Sequence, residues 1–179
     1  MFGRSFNKTK AINSLILIAQ KIADDKGEAD VYAALKILYF AELKHIAKYG
    51  RFITDDLIAP LEHGSVPSSS YDLLKKQNNE PSFEIITKIS FKPKVDFNSK
   101  ELSESEIECI LESVNENKGK SFPELKKKAH DEAYEMAKST NKSFVPLEYI
   151  LKQEKLSQEQ IDFIKEHYDF IESVQWLNL

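Results

Sequence analysis

The sequence of 179 residues is poor in the residue types that most simple site chemistries require. It has one cysteine, Cys109, so no internal disulfide can form, and a reducing compartment is the simplest expectation. Its five glycines are widely scattered, which argues against a glycine-rich loop that cradles phosphate. The longest apolar run, Leu15 to Ala19, is far too short to cross a membrane. We therefore expect a cytoplasmic protein without a membrane segment.

A strongly basic balance is also missing, since the net charge is −4 and the isoelectric point is about 5.7. This lack makes nucleic acid an unlikely partner. Acidic residues concentrate in two stretches, 96–116 and 148–179, which hold seven acids each. Two interpretations stay open for them. They are solvated helix faces, or they form a partly acidic surface that attracts a basic partner.

Helical periodicity predicts two long helices in the first 50 residues. Apolar residues recur at helical spacing from about Thr9 to Asp24. From Asp30 to Tyr49 they cover nearly the whole circumference, which is typical of a helix buried among other elements. Asp30 is a candidate N-cap, and Gly50 can adopt the left-handed conformation that ends a helix. We expect this second helix to be the central helix of the fold.

Three segments in the middle of the chain are predicted to be extended. Residues 57–61 form an edge segment, because Pro60 cannot donate to a central ladder. Residues 83–91 are rich in Ile, Thr and Phe, which favours a strand. We expect residues 94–97 to pair with that strand as a small β-hairpin.

The second half is predicted to be helical, and two capping boxes mark helix starts. Ser103 with Glu106, and Ser121 with Glu124, have the spacing at which each side chain bonds the other residue's backbone. Apolar residues from Leu125 to Ala137 keep helical spacing, which predicts one continuous helix. Further helices are predicted from 69 to about 76, with Ser68 or Ser69 as N-cap, at 146–152, and from 157, with Ile161, Ile164, Tyr168 and Ile171 on its apolar face.

An ordered set of short motifs lies between residues 35 and 74. An aromatic helical stretch is followed by a histidine, by Tyr-Gly-Arg, and then by a tight Gly-Ser-Val-Pro corner. In this order the motifs resemble the Panacea domain, also called the SocA-like antitoxin domain. The matching residues are Lys36, Ile37, Leu38, Tyr39, Phe40, Ala41, His45, Tyr49, Gly50, Arg51, Gly64, Val66, Pro67 and Tyr71.

The resemblance extends from about Lys10 to the C-terminal region and is strongest at 30–76. The sequence departs from the family pattern at His63, where the family usually has tyrosine, and at Ser65, where it has proline. Together with the periodicity, the resemblance implies a mainly α protein. We expect a single domain over 1–179, formed by a helical bundle around a central buried helix with a small β-hairpin.

The resemblance implies a function in binding and not in catalysis. We expect an antitoxin of a toxin–antitoxin system that neutralises a cognate toxin protein directly, with the toxin encoded by an adjacent gene. The alternative is a DNA-binding transcriptional regulator, or another phage-associated interaction protein. A basic run at Lys126 to Lys128 motivates the regulator, although acidic residues surround it.

The candidate partner-binding residues are Tyr39, His63 and Tyr71. We expect Gly64 and Pro67 to form a turn that brings His63 and Tyr71 close to Tyr39. Two interpretations remain open, because the three side chains could pack in the core or could anchor a partner. The extended segments could also offer an edge to an added strand.

Other chemistries find little support in the sequence. Glu42 and His45 have Glu-x-x-His spacing, but a di-iron bundle needs a second such motif, and none is present. Cys109 lies among carboxylates that would raise the pKa of its thiol, so we interpret it as structural. The serines near Gly64 lack a nucleophile elbow. We therefore expect no enzyme activity, no metal and no cofactor.

Overall fold

The structure, a computed structural model, describes residues 5–75 and 79–177, with side chains to residue 174. It is mainly α, and 58% of it is helical. The α-helices in the described residues are α1 (Lys8–Ile22), α2 (Val31–Tyr49), α3 (Ser68–Leu73), α4 (Glu104–Asn117), α5 (Phe122–Ala129), α6 (Glu132–Ser139), α7 (Leu147–Gln153) and α8 (Gln158–Leu177), and a 3-10 turn at Ser99–Glu101 precedes α4. The strands there are β1 (Ala29–Asp30), β2 (Ile58–Leu61), β3 (Gly64–Pro67), β4 (Phe83–Ile85) and β5 (Ser90–Pro93).

Helix α2 has the two ends that its sequence predicts. The Asp30 carboxylate accepts a hydrogen bond from the Ala33 amide at 2.6 Å, which satisfies one of the first four amides of the helix. Gly50 has a φ of 72°, in the left-handed region, and its amide donates to the Ile46 carbonyl. The helix packs against α1, α4, α5 and β3, as its apolar circumference predicts.

Two hydrophobic clusters meet at α2. One cluster includes Ile37 and Leu38 and extends over α1, α4 and the three-stranded sheet. The other includes Tyr39 and Ile46 and extends over α5, α6, α7 and α8. Because adjacent residues of one helix face opposite clusters, α2 cannot be amphipathic, which explains the unusual composition of this segment.

The predicted pairing of residues 83–91 with residues 94–97 is wrong. The chain turns inside the predicted strand, so β4 pairs with β5, with Phe83 opposite Pro93 and Ile85 opposite Phe91. The amides at 86 and 87 both donate to the Ser90 carbonyl, which closes the turn within the apolar run. Strand β1 then pairs with β5, which gives a sheet with the strand order β1-β5-β4.

The extended segment at 57–61 is confirmed as β2, which pairs with β3 as an antiparallel hairpin. Helix α3 follows β3 directly. The prediction that Ser68 or Ser69 caps this helix is wrong, because its N-cap is Pro67. The Asp56 carboxylate instead accepts hydrogen bonds from the Ser69 and Ser70 amides, at 2.9 and 2.7 Å. A buried carboxylate from a neighbouring loop thus satisfies the amides at this helix start.

Both predicted capping boxes are present, at the starts of α4 and α5. The prediction of one continuous helix from Leu125 to Ala137 is wrong. Helix α5 ends at Ala129, and the Asp131 carboxylate accepts from the Tyr134 amide at 3.0 Å as the N-cap of α6. The two helices keep their apolar residues in the same register, so the hydrophobic pattern does not reveal the break.

Candidate functional site

A cavity of about 770 Å³ opens between the start of α2, the β2–β3 hairpin, the β4–β5 turn and the start of α5. Its wall is mostly apolar and aromatic. Three large apolar side chains on it are exposed to solvent: Leu61 by 41%, Phe122 by 46% and Ile89 by 67%. A contiguous set of exposed apolar side chains around a concave surface is typical of a binding site, whereas single exposed apolar side chains are common on protein surfaces.

An aromatic cluster forms one side of the cavity. The Tyr32 and Phe122 ring centroids are 4.4 Å apart, and the His63 ring meets the Phe122 ring edge to face at 5.3 Å. The Tyr32 hydroxyl donates to the His63 carbonyl oxygen at 2.8 Å. Burial, with a contribution from the Asp30 charge, raises the pKa of Tyr32 to about 12, so its hydroxyl keeps the proton that it donates. This cluster fixes the hairpin tip against α2 and α5.

Lys36 lies beneath the cavity, and its side chain is fully buried. Its Nζ donates to the Ser65 carbonyl oxygen at 2.7 Å and lies 5.1 Å from the centroid of the Tyr32 ring. Burial lowers the pKa of Lys36 to about 7, and the charge of Asp131 opposes this effect. The lysine therefore attaches strand β3 to α2, and its ammonium is not in contact with solvent.

Tyr39 does not line the cavity. Its side chain is fully buried, and its hydroxyl donates to Asp131 at 2.6 Å. Burial is the main reason that the pKa of Tyr39 is raised well above its usual value, and the Asp131 charge adds to it. Because Asp131 also caps α6, this hydrogen bond joins α2 to the α5–α6 junction.

The sequence-predicted trio is therefore separated in the structure. His63 and Tyr71 line the same cavity. Tyr71 packs against the hydrophobic cluster that contains Ile37, whereas Tyr39 belongs to the cluster that contains Ile46. The expectation of three clustered side chains is corrected to a pair above the cavity and a buried tyrosine within the core. Partner binding by the exposed His63 and the half-buried Tyr71 stays a prediction.

Sequence reasoning missed Tyr32, Ile89 and Phe122 as members of this site. One signal for Phe122 was available. It lies within the Ser121-to-Glu124 capping box, so it falls at the helix start and away from the inward-facing Leu125 and Ala129. A large apolar residue at such a position has no core to enter unless another element covers it. No comparable signal singles out Tyr32 or Ile89.

Glu42 and His45, which share a helix face, are used within the fold. Glu42 accepts hydrogen bonds from the Ile53 and Thr54 amides, at 2.6 and 3.0 Å, and from the Thr54 hydroxyl. His45 Nδ1 bonds the Arg51 carbonyl at 2.7 Å. In the part of the chain that the structure describes, no group of three or more His, Cys, Asp or Glu side chains is placed to hold a metal ion.

Cys109 and the basic run also have internal contacts. Burial raises the pKa of the Cys109 thiol to about 11, as expected of a structural cysteine. Within the basic run, Lys128 donates to Asn117 at 2.8 Å and lies over the Phe40 ring, 4.3 Å from its centroid. This contact removes one of the three lysines from any continuous basic surface.

The fold and the cavity define a mainly helical protein with an apolar, aromatic-lined concave site. Among the described residues, no helix is long and apolar enough to span a membrane. Residues 35–135 match the sequence model of the family described as antitoxin SocA-like, Panacea domain. Because the match covers more than half of the chain, the protein belongs to this family. No curated protein and no solved structure gives a significant match to the chain.

Proposed function

We propose that this protein is the antitoxin of a toxin–antitoxin pair and neutralises a cognate toxin protein by direct binding. Family membership supports the antitoxin role at the level of the family. The observation that carries direct binding is the cavity of about 770 Å³ with Leu61, Ile89 and Phe122 exposed on its wall. A partner side chain placed there would desolvate all three, which is the situation in which interface residues contribute most to affinity.

In this proposal the toxin is encoded by an adjacent gene and both proteins act in the cytoplasm, consistent with a single reduced cysteine. Neutralisation needs no chemistry from the antitoxin, so we propose a protein that is not an enzyme. Helix α2 serves as the central helix that supports the cavity from below through Lys36 and Tyr32.

The test is co-expression with the product of the adjacent gene in a bacterial host. We expect the neighbour alone to arrest growth and the pair to grow and to copurify. The double variant Leu61→Ser with Phe122→Ser should weaken binding by about tenfold or more, since exposed anchors commonly contribute over 1 kcal/mol each. Val95→Ser is the matched control, because Val95 is equally exposed, at 48%, and lies outside the cavity wall.

Three outcomes separate the parts of the proposal. A neighbour that is harmless, or whose toxicity the chain does not relieve, contradicts the antitoxin role. Rescue and binding that survive the double variant contradict the cavity as the binding site and leave the antitoxin role in place. Loss of binding by a variant that still folds supports both; its melting temperature should fall slightly, because Phe122→Ser removes ring contacts with Tyr32 and His63.

A further inference from the structure

The C-terminal helix α8 has a second apolar face besides the one that packs on the core. Ile164 and Tyr168 point inward and are almost fully buried, and the Tyr168 hydroxyl accepts from the Phe52 amide at 2.9 Å. These contacts fix the rotation of the helix. Phe163 and Phe170 then face outward and are 67% and 66% exposed, among the most exposed large apolar side chains of the described residues.

The two phenylalanines lie on one line along the helix. They are seven residues apart, so they lie two turns apart on the same side. His167, four residues after Phe163, lies between them and is also exposed. One edge of the Phe163 ring lies 3.9 Å from the position that a Cβ on Gly50 would take, so the line begins next to the end of α2 while most of the ring is exposed.

Three carboxylates lie beside this line on the side away from the core: Glu159, Asp162 and Glu166. Asp169 lies further round the helix, in a pocket that Lys165 and Tyr149 also line. All three of these outer carboxylates are exposed, and none forms a salt bridge with another described residue. The line fills one apolar position per heptad, which is half of a coiled-coil seam, and charges beside such a seam select a helical partner of opposite charge. The same charges repel a second copy of α8.

The helix also lies outside the part of the chain that matches the family model, which ends at residue 135. An outward line of aromatic side chains on a helix that is already anchored costs solubility and adds nothing to the core, unless another surface covers it.

We infer that the outer face of α8 is a docking surface for a basic amphipathic helix of the partner protein, with Phe163 and Phe170 as apolar anchors and the flanking carboxylates as its charge complement. The inference rests on the proposed function only in taking the natural partner to be a toxin. It adds the chemistry of the contact: an apolar stripe at heptad spacing, with lysine or arginine on its edges.

The test uses the full chain and two synthetic helical peptides of about three heptads, so no toxin is needed. Both peptides carry leucine at the a and d positions; one carries lysine at the flanking positions and the other glutamate. We expect the lysine peptide to bind at least about tenfold more tightly than the glutamate peptide, and its binding to weaken as salt rises. Fluorescence anisotropy of the labelled peptides measures both effects.

Two sets of variants locate the binding. Phe163→Ser with Phe170→Ser should weaken binding of the lysine peptide by about tenfold or more, because it removes both anchors. Asp162→Lys with Glu166→Lys should also weaken binding of the lysine peptide about tenfold or more. It should bring the affinities for the lysine and glutamate peptides closer together. Asp25→Lys with Asp96→Lys is the control, since it makes the same change in net charge at two exposed positions, on the turn after α1 and in the loop after β5, and should leave the affinity unchanged.

Several outcomes overturn the inference: equal affinity for the two peptides, no binding of the lysine peptide, or binding that the double serine variant leaves intact. A dimer in sedimentation that Phe163→Ser with Phe170→Ser dissociates also overturns it, because the occupant is then a second copy of the chain. If the lysine peptide does not bind but the chain rescues growth, only the docking surface on α8 is contradicted, and the antitoxin function stands. If the lysine peptide binds but growth is not rescued, the antitoxin function is contradicted, and the docking surface on α8 stands.

Discussion

Gly64, the first residue of β3, is the position at which a single added methyl group should cost the fold most. Its φ is +94°, and a Cβ built on it would lie 2.8 Å from Ala129 Cβ and 2.9 Å from the Ala129 carbonyl oxygen. The glycine thus lets the β2–β3 hairpin lie directly on the last turn of α5. Neither neighbour can move away easily, because one contact is with the backbone and Ala129 is fully buried.

The magnitude for Gly64→Ala follows from two separate costs. An alanine held at positive φ costs about 1–2 kcal/mol. Forcing a methyl group into a packed position costs about 1–3 kcal/mol more. We therefore expect the free energy of unfolding to fall by about 2–5 kcal/mol, which at this chain length lowers the melting temperature by about 4–20 °C. Urea denaturation followed by circular dichroism measures the loss directly.

Gly119→Ala is the matched control for the same backbone effect. Gly119 has a φ of +81°, and nothing lies within 4 Å of the position that its Cβ would take. This variant should lose only the positive-φ cost of about 1–2 kcal/mol. If Gly64→Ala proves no more destabilising than Gly119→Ala, the hairpin does not approach α5 as closely as the structure shows, and the wall of the cavity is placed wrongly.

Two further predictions concern buried polar groups. Tyr39→Phe should lower the free energy of unfolding by about 1–3 kcal/mol because it leaves the buried Asp131 carboxylate with one donor fewer, whereas the control Tyr71→Phe should change it by under about 0.5 kcal/mol in the same urea titration. Burial raises the pKa of Glu42 from 4.5 to about 7, so the folded state binds this proton more tightly than the unfolded state does. The resulting stabilisation is complete below pH 4.5 and is lost as the pH rises through 7. The free energy of unfolding should fall by about 3 kcal/mol over this range. Unfolding measured from pH 4 to 8 should show this decline in the wild type and not in Glu42→Gln, and parallel curves for the two proteins would contradict it.

Much of the fold could be predicted because the decisive signals are local. The caps of α2 at Asp30 and Gly50 depend on residues adjacent to the helix, and so do the two capping boxes. The two wrong element predictions, for the hairpin at residues 83–97 and the helix at 125–137, fall where the apolar pattern continues across a break in the backbone. The turn between β4 and β5 lies inside an apolar run, and the break between α5 and α6 leaves the spacing of Ala129 and Ala133 helical. In both places hydrogen bonds set where the element ends, to the Ser90 carbonyl in the turn and to the Asp131 carboxylate at the start of α6. The spacing of apolar residues carries no information about these bonds.

The cavity was harder to predict because its residues come from distant segments. Tyr32, His63 and Phe122 are about 30 to 90 residues apart, and only the tertiary fold brings their rings within 4.4 to 5.3 Å. The sequence could identify the corner at residues 63–67, since it carries a recognisable motif. The other walls of the cavity carry none.

The motif residues and the exposed residues have different roles in this structure. Lys36 and Tyr39 are fully buried, and each forms a hydrogen bond that joins α2 to another segment, while Gly64 permits the close approach of the hairpin to α5. The matched motif therefore specifies how the scaffold is assembled. Leu61 and Phe122, exposed on the cavity wall, are not among the motif residues.

This division has a consequence for partner choice. A buried lysine or tyrosine that joins two segments cannot change without loss of stability, whereas an exposed side chain can change at a cost of about 0.5 kcal/mol or less. Under the proposed function, partner specificity can therefore vary at Leu61 and Ile89, and on the outer face of α8, while the scaffold stays the same. If the proposed toxin binding holds, substitutions at these exposed positions should change which toxin is bound, and substitutions at Lys36 or Tyr39 should reduce binding of every toxin by reducing the amount of folded protein.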